Sequence, residues 1–520
     1  MTESRTINSM KNLSMNIVSQ VLLIGLRFVS RTIFIHYLSV EYLGIDGLFS
    51  NVLSMLALAD LGITSALNYS LYKPIRHQDQ EQIKKLIQYF KKVYLIIAVT
   101  VLALGLALVP FLHLIVNLDK AVPNVRFYYI LMLLSVVMSY LFVYRSALVI
   151  ASQKEYLVTR ITIFTQFLKI SLQIIVLVLF QNFALYLAVQ ILVEFVDNLI
   201  VSHTATKLYP FLNEKADKLE KTERHTIFEN IKSIFAYRFG GVVMNNTTDI
   251  FISVLVGTVY VGYYANYMML VNSISMMVSL LFSSIAASVG NKNVDHHLDE
   301  QEQVFQMMIF INQWIAGFCA ICFLVLLTPF IQLWIGQQFV LSELVVLAIV
   351  LQFYVITMTS TIAIYRDTTG IFKETKYVFL ITAGLNIMFC LVLGHWLGII
   401  GILLSASIAR LLTSFWYEPK VLYEKYFGHS CSPYFSKLLK YFLVTLTEGI
   451  VVWGCCQLLP TNSISSFVLR VTICFVFVNG INLVVYRRDP TMKLLLSYLT
   501  IVKVVAGQKW LLLRHREGEK

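Results

Sequence analysis

Charge is what this chain has least of. Asp, Glu, Lys and Arg make up 13% of its 520 residues, where a soluble domain holds about a quarter. The hydrophobic share is 58% and the mean hydropathy +0.73. So little polar surface excludes a water-soluble globule and predicts an all-α, polytopic membrane protein, since helices satisfy their own backbone groups in lipid. Catalytic signatures are also missing. There is no phosphate loop, zinc spacing or nucleophile elbow, so no enzyme, metal or cofactor is expected. The polar stretch Met1 to Asn12 has no short apolar core followed by small residues, so no removable signal is expected. Six of the seven cysteines fall in apolar runs. Cys319-x-x-Cys322 lacks a second pair or a histidine cluster, so these thiols read as packing residues.

What is present is a series of apolar runs long enough to cross a bilayer. Fourteen spans are expected, near 13–36, 43–66, 89–112, 127–150, 158–179, 183–203, 232–256, 261–288, 306–328, 343–365, 376–395, 398–417, 438–458 and 465–486. The net charge of +12 is not spread evenly. Lysines and arginines cluster after the second, sixth and twelfth spans and in the tail, while the alternate loops hold little beyond Lys120 and Arg126. That asymmetry predicts cytoplasmic termini and argues against nucleic acid as a partner.

An internal repeat organises the series. Val109-Pro110-Phe111 returns as Thr328-Pro329-Phe330, Tyr42-Leu43-Gly44 as Tyr260-Val261-Gly262, and Tyr144-Arg145 as Tyr365-Arg366. Each half has six spans, an even number, so both enter from the same side, as in a parallel repeat about an axis along the membrane normal. The expected division is an N-lobe (1–203), a linker (204–231), a C-lobe (232–417), two further spans (418–486) and a basic cytoplasmic tail (487–520), with a cleft between the lobes.

Charges inside spans need a reason, because each costs on the order of 3 kcal/mol at mid-bilayer. In the first span Arg27 and Arg31 share a face with Asn16 and Gln20; in the seventh, Arg238, Asn245 and Asp249 form a matching stripe. Asp46 and Asp60 lie in the second span. One reading is a cationic cavity, with Arg27, Arg31, Arg238 and Asn245 on an anionic ligand and Asp46, Asp60 and Asp249 as cavity carboxylates or ion-coupling groups. The competing reading pairs these arginines with those aspartates to lock the bundle. Arg145, Arg366, Lys169 and Tyr267 are weaker candidates: snorkelling explains the first three, and in the series Tyr260, Tyr263, Tyr264, Tyr267 an interfacial belt explains the first members, leaving sugar stacking to the deeper ones. Glu194 and Asp197 could titrate, though a structural role is preferred.

The segments Arg31-Thr32-Ile33-Phe34-Ile35, Gly47-Leu48-Phe49, Leu58-Ala59-Asp60-Leu61-Gly62 and Leu71-Tyr72-Lys73-Pro74 resemble bacterial polysaccharide-biosynthesis transporters. So do Val261-Gly262-Tyr263-Tyr264-Ala265-Asn266-Tyr267, Tyr365-Arg366-Asp367 and Trp416-x-Glu418-Pro419. These are the Wzx-type O-antigen flippases of the multidrug/oligosaccharidyl-lipid/polysaccharide superfamily. The resemblance implies two six-helix lobes plus two helices in a bacterial plasma membrane. It also implies a lipid-linked oligosaccharide cargo on undecaprenyl pyrophosphate, moved to the outer leaflet, for capsule or O-antigen, with glycan polymerase and chain-length machinery as partners. A lipid II flippase, a cation-coupled drug exporter and, from another class, a membrane glycan polymerase or ligase are the rival readings.

Overall fold

The computed structural model describes residues 5–57, 63–118, 120, 122–214, 216–292, 298–369, 372–460 and 463–496. Among them the chain is helical throughout. The helices are α1 (Arg5–Tyr37), α2 (Val40–Leu56), α3 (Ile63–His77), α4 (Gln80–Leu108), α5 (Leu112–Ile115), α6 (Val125–Ser139), α7 (Val143–Ala151), α8 (Glu155–Phe180) and α9 (Phe183–Leu208). They continue as α10 (Lys221–Leu255), α11 (Thr258–Lys292), α12 (Leu298–Ile335), α13 (Glu343–Thr369), α14 (Phe372–Leu397), α15 (Ile399–Leu412), α16 (Ser414–Leu422), α17 (Ser432–Gln457) and α18 (Ile464–Tyr486). Among the described residues nine helical stretches are long and apolar enough to cross a membrane. They are ten if α6 and α7, bent by 43°, form one span. The other four expected spans coincide with α1, with α2 and α3, with α10 and with α11, the opening pair of each repeat and the carriers of its polar stripes. The chain is a multi-pass membrane protein.

Local chemistry sets several boundaries. Asp79 and Asn182 cap α4 and α9, accepting from the backbone N–H of Gln82 (2.9 Å) and Leu185 (3.1 Å), which satisfies amides that a helix start leaves unpaired. Pro110 breaks the end of α4 into a short 3-10 turn, whereas its repeat partner Pro329 sits inside a continuous α12.

Contacts divide the described residues into two units. The first holds everything up to Asn266 together with Phe379–Ser405. Its core is built from α2 to α7 and α9, with Leu48, Phe49, Phe90, Tyr129 and Leu148 almost wholly enclosed. Helix α14 joins through α10, where Asn386 Nδ2 donates to Thr247 Oγ1 at 3.4 Å and Gly240 leaves room for Phe379.

The repeat meets itself within this unit. A Cβ on Gly44 would collide with the carbonyl oxygen of Thr258, and one on Gly262 would lie 2.8 Å from the carbonyl oxygen of Val40. The two contacts use the same offset that relates Tyr42-Leu43-Gly44 to Tyr260-Val261-Gly262, so they are one contact seen from both sides, as a two-fold axis requires. Thr258 is held for this by its N–H to Asn117 O (2.7 Å) and by its hydroxyl, which accepts from Asn117 N (2.8 Å). Gly257, at φ +144°, makes the tight turn that brings it there. Gly44→Ala or Gly262→Ala is expected to force α2 and α11 apart and lower stability by about 1–3 kcal/mol. Gly25→Ala in α1, where nothing lies within 4 Å, is expected to be neutral or slightly stabilising. Thermal unfolding of the three variants in detergent checks this.

The second unit holds Tyr267–Val378 and the described residues from Ala406 onward. Helix α12 is its axis, packed by α13, α17 and α18. Near the N-terminal end of α12, Phe305, Tyr365, Tyr423 and Phe427 form an aromatic cluster. Beside it, His429 Nε2 meets Glu302 Oε2 at 2.8 Å. Glu302, then the Ser430 carbonyl, raises the imidazole above its ordinary value. The contact therefore stabilises fully below about pH 6.5 and fades as pH rises through the raised value. His429→Ala should lower the melting midpoint more at about pH 6 than at about pH 9, by under about 1 kcal/mol since the pair is surface-exposed.

Candidate functional site

Four of the residues singled out by sequence come together in the first unit. Arg27 and Arg31 lie on α1, Asp46 on α2 and Lys169 on α8. Arg31 is in electrostatic reach of Asp46 and Tyr186, and Asp46 of both Arg31 and Lys169. Lys169 also senses Arg27, Glu194 and Asp197. The two α9 carboxylates are held by hydroxyl groups: Ser135 donates to Glu194, and Thr165 Oγ1 donates to Asp197 at 2.5 Å. The result is a polar seam through α1, α2, α8 and α9, with three cations and three carboxylates.

The cations are not closed off in pairs. Arg31 Nη1 is fully enclosed and makes no hydrogen bond, and Gln20 Oε1 on the same helix is in the same state. An enclosed guanidinium N–H without an acceptor is costly. Arg27 is exposed. The seam thus offers donor capacity on α1 that the described residues of the unit leave unused.

The second stripe is arranged differently. Asp249 stands at the repeat position of Arg31, and Tyr264 at that of Asp46. The two positions interact again, since Asp249 acts on the Tyr264 phenol. The polarity is changed, from arginine with aspartate to aspartate with tyrosine. Asp249 takes a hydrogen bond from Asn51 Nδ2 at 2.5 Å, and that amide also donates to Gly47 O at 3.0 Å. Among the described side chains no arginine reaches Asp249. Asn51 was not among the sequence candidates; its signal was an amide inside an apolar run, on the turn after Gly47. Arg238 and Asn245 lie within α10, their side chains outside the described set, and Asp60 lies outside the described residues altogether.

Of the weaker candidates, Lys169 belongs to the seam and the other three make scaffold contacts. Arg145 donates to Ser202 Oγ (2.8 Å) and Thr206 Oγ1 (3.0 Å) on α9 and lies 5.9 Å from the centroid of the Tyr144 ring. Its repeat partner Arg366 reaches from α13 to α16, where Nη1 meets Glu418 Oε1 at 2.7 Å with both side chains buried. In each half an arginine near the end of the fourth span ties down the sixth. Snorkelling, the expectation for both, is not what these side chains do: each turns into protein. Tyr267 is buried, and its hydroxyl accepts from Leu341 N at 3.0 Å, fixing the α12–α13 connection. Arg470 of α18 donates to Leu459 O at 2.7 Å and closes the α17–α18 turn.

No family model matches the chain, and no curated protein matches it in sequence. Solved structures do share its fold. The lipid II flippase MurJ, in an inward closed conformation, superposes with TM-score 0.60 at 15% identity, covering 93% of this chain and 99% of its own. The Vibrio cholerae MATE transporter VcmN, in a mutant form, gives TM-score 0.56 at 13% identity over 81% of this chain and 98% of its own. A MOP superfamily transporter from Pyrococcus furiosus, described as having a binding pocket of reverse polarity, gives 0.51 at 12% over 78% and 92%. The chain has the helical membrane fold that these MOP superfamily transporters share.

Proposed function

We propose that the protein is a flippase of the Wzx type. It moves an oligosaccharide repeat unit linked to undecaprenyl pyrophosphate from the cytoplasmic to the outer leaflet of a bacterial plasma membrane, for capsule or O-antigen assembly. The working halves are those of the sequence repeat, residues 1–203 and 232–417, with glycan polymerase and chain-length machinery as downstream partners. The observation that supports this most is the enclosed, unbonded Nη1 of Arg31, beside the second basic group Arg27 of α1. Arginine stays charged when water is stripped away and meets two phosphate oxygens at once. The diphosphate is the part of such a cargo that most needs this in a membrane. The hydroxyl-rich sugars fit amides such as Gln20 of α1, whose enclosed Oε1 is unbonded, and the lipid tail needs only bilayer.

A lipid II cargo is the second reading. It carries the same diphosphate, and the fold shared with MurJ over nearly the whole chain favours it. Reconstitution of the purified protein into liposomes tests both. Leaflet accessibility is scored for a lipid-linked oligosaccharide and, separately, for lipid II, with and without an imposed ion gradient. Protein-dependent flipping of the oligosaccharide in preference to lipid II supports the first reading, and the reverse preference the second. Flipping of neither defeats both.

A further inference from the structure

Helices α17 and α18 stand outside the repeat, and the cargo reading gives them no task. Midway along α17 is Glu448, an acidic residue in an apolar span that the sequence candidates did not include. It is 2% exposed, and its Oε1 makes no hydrogen bond. No cation acts on it: burial is the single influence on its carboxyl among the described residues. Thr445 lies one turn earlier on the same face of α17, and with Gln313 of α12 and Asn482 of α18 it lines a narrow crevice. The Tyr354 hydroxyl of α13 contacts Gln313 Oε1 at 3.4 Å. Gly317 lets the helices close, since a Cβ there would lie 2.7 Å from Thr445 Oγ1.

The titratable groups around Glu448 are phenols and thiols. Tyr354 and Tyr486 are in electrostatic reach of it, and Tyr441 of α17 lines the crevice with Thr445. Further along α12 and α18, Cys322 and Cys474 pack with Val452. None of these brings a positive charge. An ionised carboxylate held this way inside a membrane span is too costly to persist alone. We propose that Glu448 is the carboxyl of a binding site for a single monovalent cation, a proton or a sodium ion, with the Thr445 hydroxyl one turn away on α17 as a neutral oxygen partner. The site gives the last two spans a role that does not depend on what the transporter carries, so a failed cargo assay leaves it standing.

The full-length protein in lipid nanodiscs tests this without cargo. Melting midpoints are compared in sodium chloride and in choline chloride at equal ionic strength. The infrared band of a protonated carboxyl is followed against pH. If sodium is the ligand, wild type melts higher in sodium, Glu448→Gln loses the difference, and Thr445→Val needs at least about tenfold more sodium, a loss of about 1.4 kcal/mol. If a proton is the ligand, sodium has no effect, and a carboxyl band absent from Glu448→Gln disappears as pH rises. Should Glu448→Gln not fold, Thr445→Val and the wild-type band carry the comparison. No sodium response, together with no carboxyl band that titrates while the protein is folded, overturns the proposal.

Discussion

Arg31→Ala is expected to abolish flipping of the lipid-linked oligosaccharide in liposomes and surface polymer in cells, with the protein still present at its normal level. The first half follows from desolvation. Truncating one partner of a buried, hydrogen-bonded charge pair costs about 2 kcal/mol or more, about thirty-fold in affinity, and part of that is the anion left unpaired. Arg31→Lys is expected to fall between, since an ammonium keeps the charge and loses the two-pronged geometry. The second half follows from the seam itself. Asp46 also senses Lys169, so removing Arg31 does not leave it without a cation, and the bundle survives. The reading in which Arg31 exists to lock Asp46 makes a different prediction. There Asp46→Asn would be as damaging as Arg31→Ala, and the double variant would behave like either single one. On the cargo reading Asp46→Asn frees Arg31 and leaves flipping intact or raised. Undiminished flipping by Arg31→Ala would defeat the assignment of this side chain to the diphosphate.

How much of this could be read in the sequence depends on the distance over which a residue's role is decided. The helical class and most spans follow from apolar length alone, a property of each run by itself. The repeat was also legible, and its glycines more so than was apparent. Tyr42-Leu43-Gly44 and Tyr260-Val261-Gly262 align because each glycine must admit the backbone of the other half. The stripe of α1 was legible because helical spacing puts Gln20, Arg27 and Arg31 on related turns. What was not legible was pairing. The sequence offers Arg31, Asp46 and Asp249 as possible mates without saying which meet. Only packing puts Asp249 against Asn51, across a separation of 198 residues. Glu418 lay inside a recognised motif, Trp416-x-Glu418-Pro419, yet nothing in that motif points back to Arg366. Glu448 was missed for a simpler reason: it is a lone acid with no partner at helical spacing, so no pattern drew attention to it.

The buried pair of Arg366 and Glu418 carries the largest expected effect on stability. Both side chains are nearly sealed from solvent, and the contact is 2.7 Å. Breaking a buried pair by removing one partner typically costs about 3–5 kcal/mol, because the remaining charge is stranded. Here the two removals are not equivalent. Arg410 of α15 is also in electrostatic reach of Glu418, and its Nε has no hydrogen bond. Glu418→Leu therefore removes a carboxylate that acts on two guanidinium groups and is expected at or above the upper end of that range. Arg366→Met leaves Glu418 with Arg410 and is expected to cost clearly less. The double variant should be no worse than Glu418→Leu alone, giving a large coupling energy between the two positions. Thermal or denaturant unfolding of the purified variants measures all three. A Glu418→Leu cost within about 0.5 kcal/mol of wild type, the range of an ordinary surface substitution, would mean that the pair does not anchor the twelfth span to the tenth. The repeat supplies the control. Arg145 uses two hydroxyl groups, Ser202 and Thr206, in place of a carboxylate. Ser202→Ala or Thr206→Ala removes one neutral acceptor of two and is expected to cost no more than about 1–3 kcal/mol.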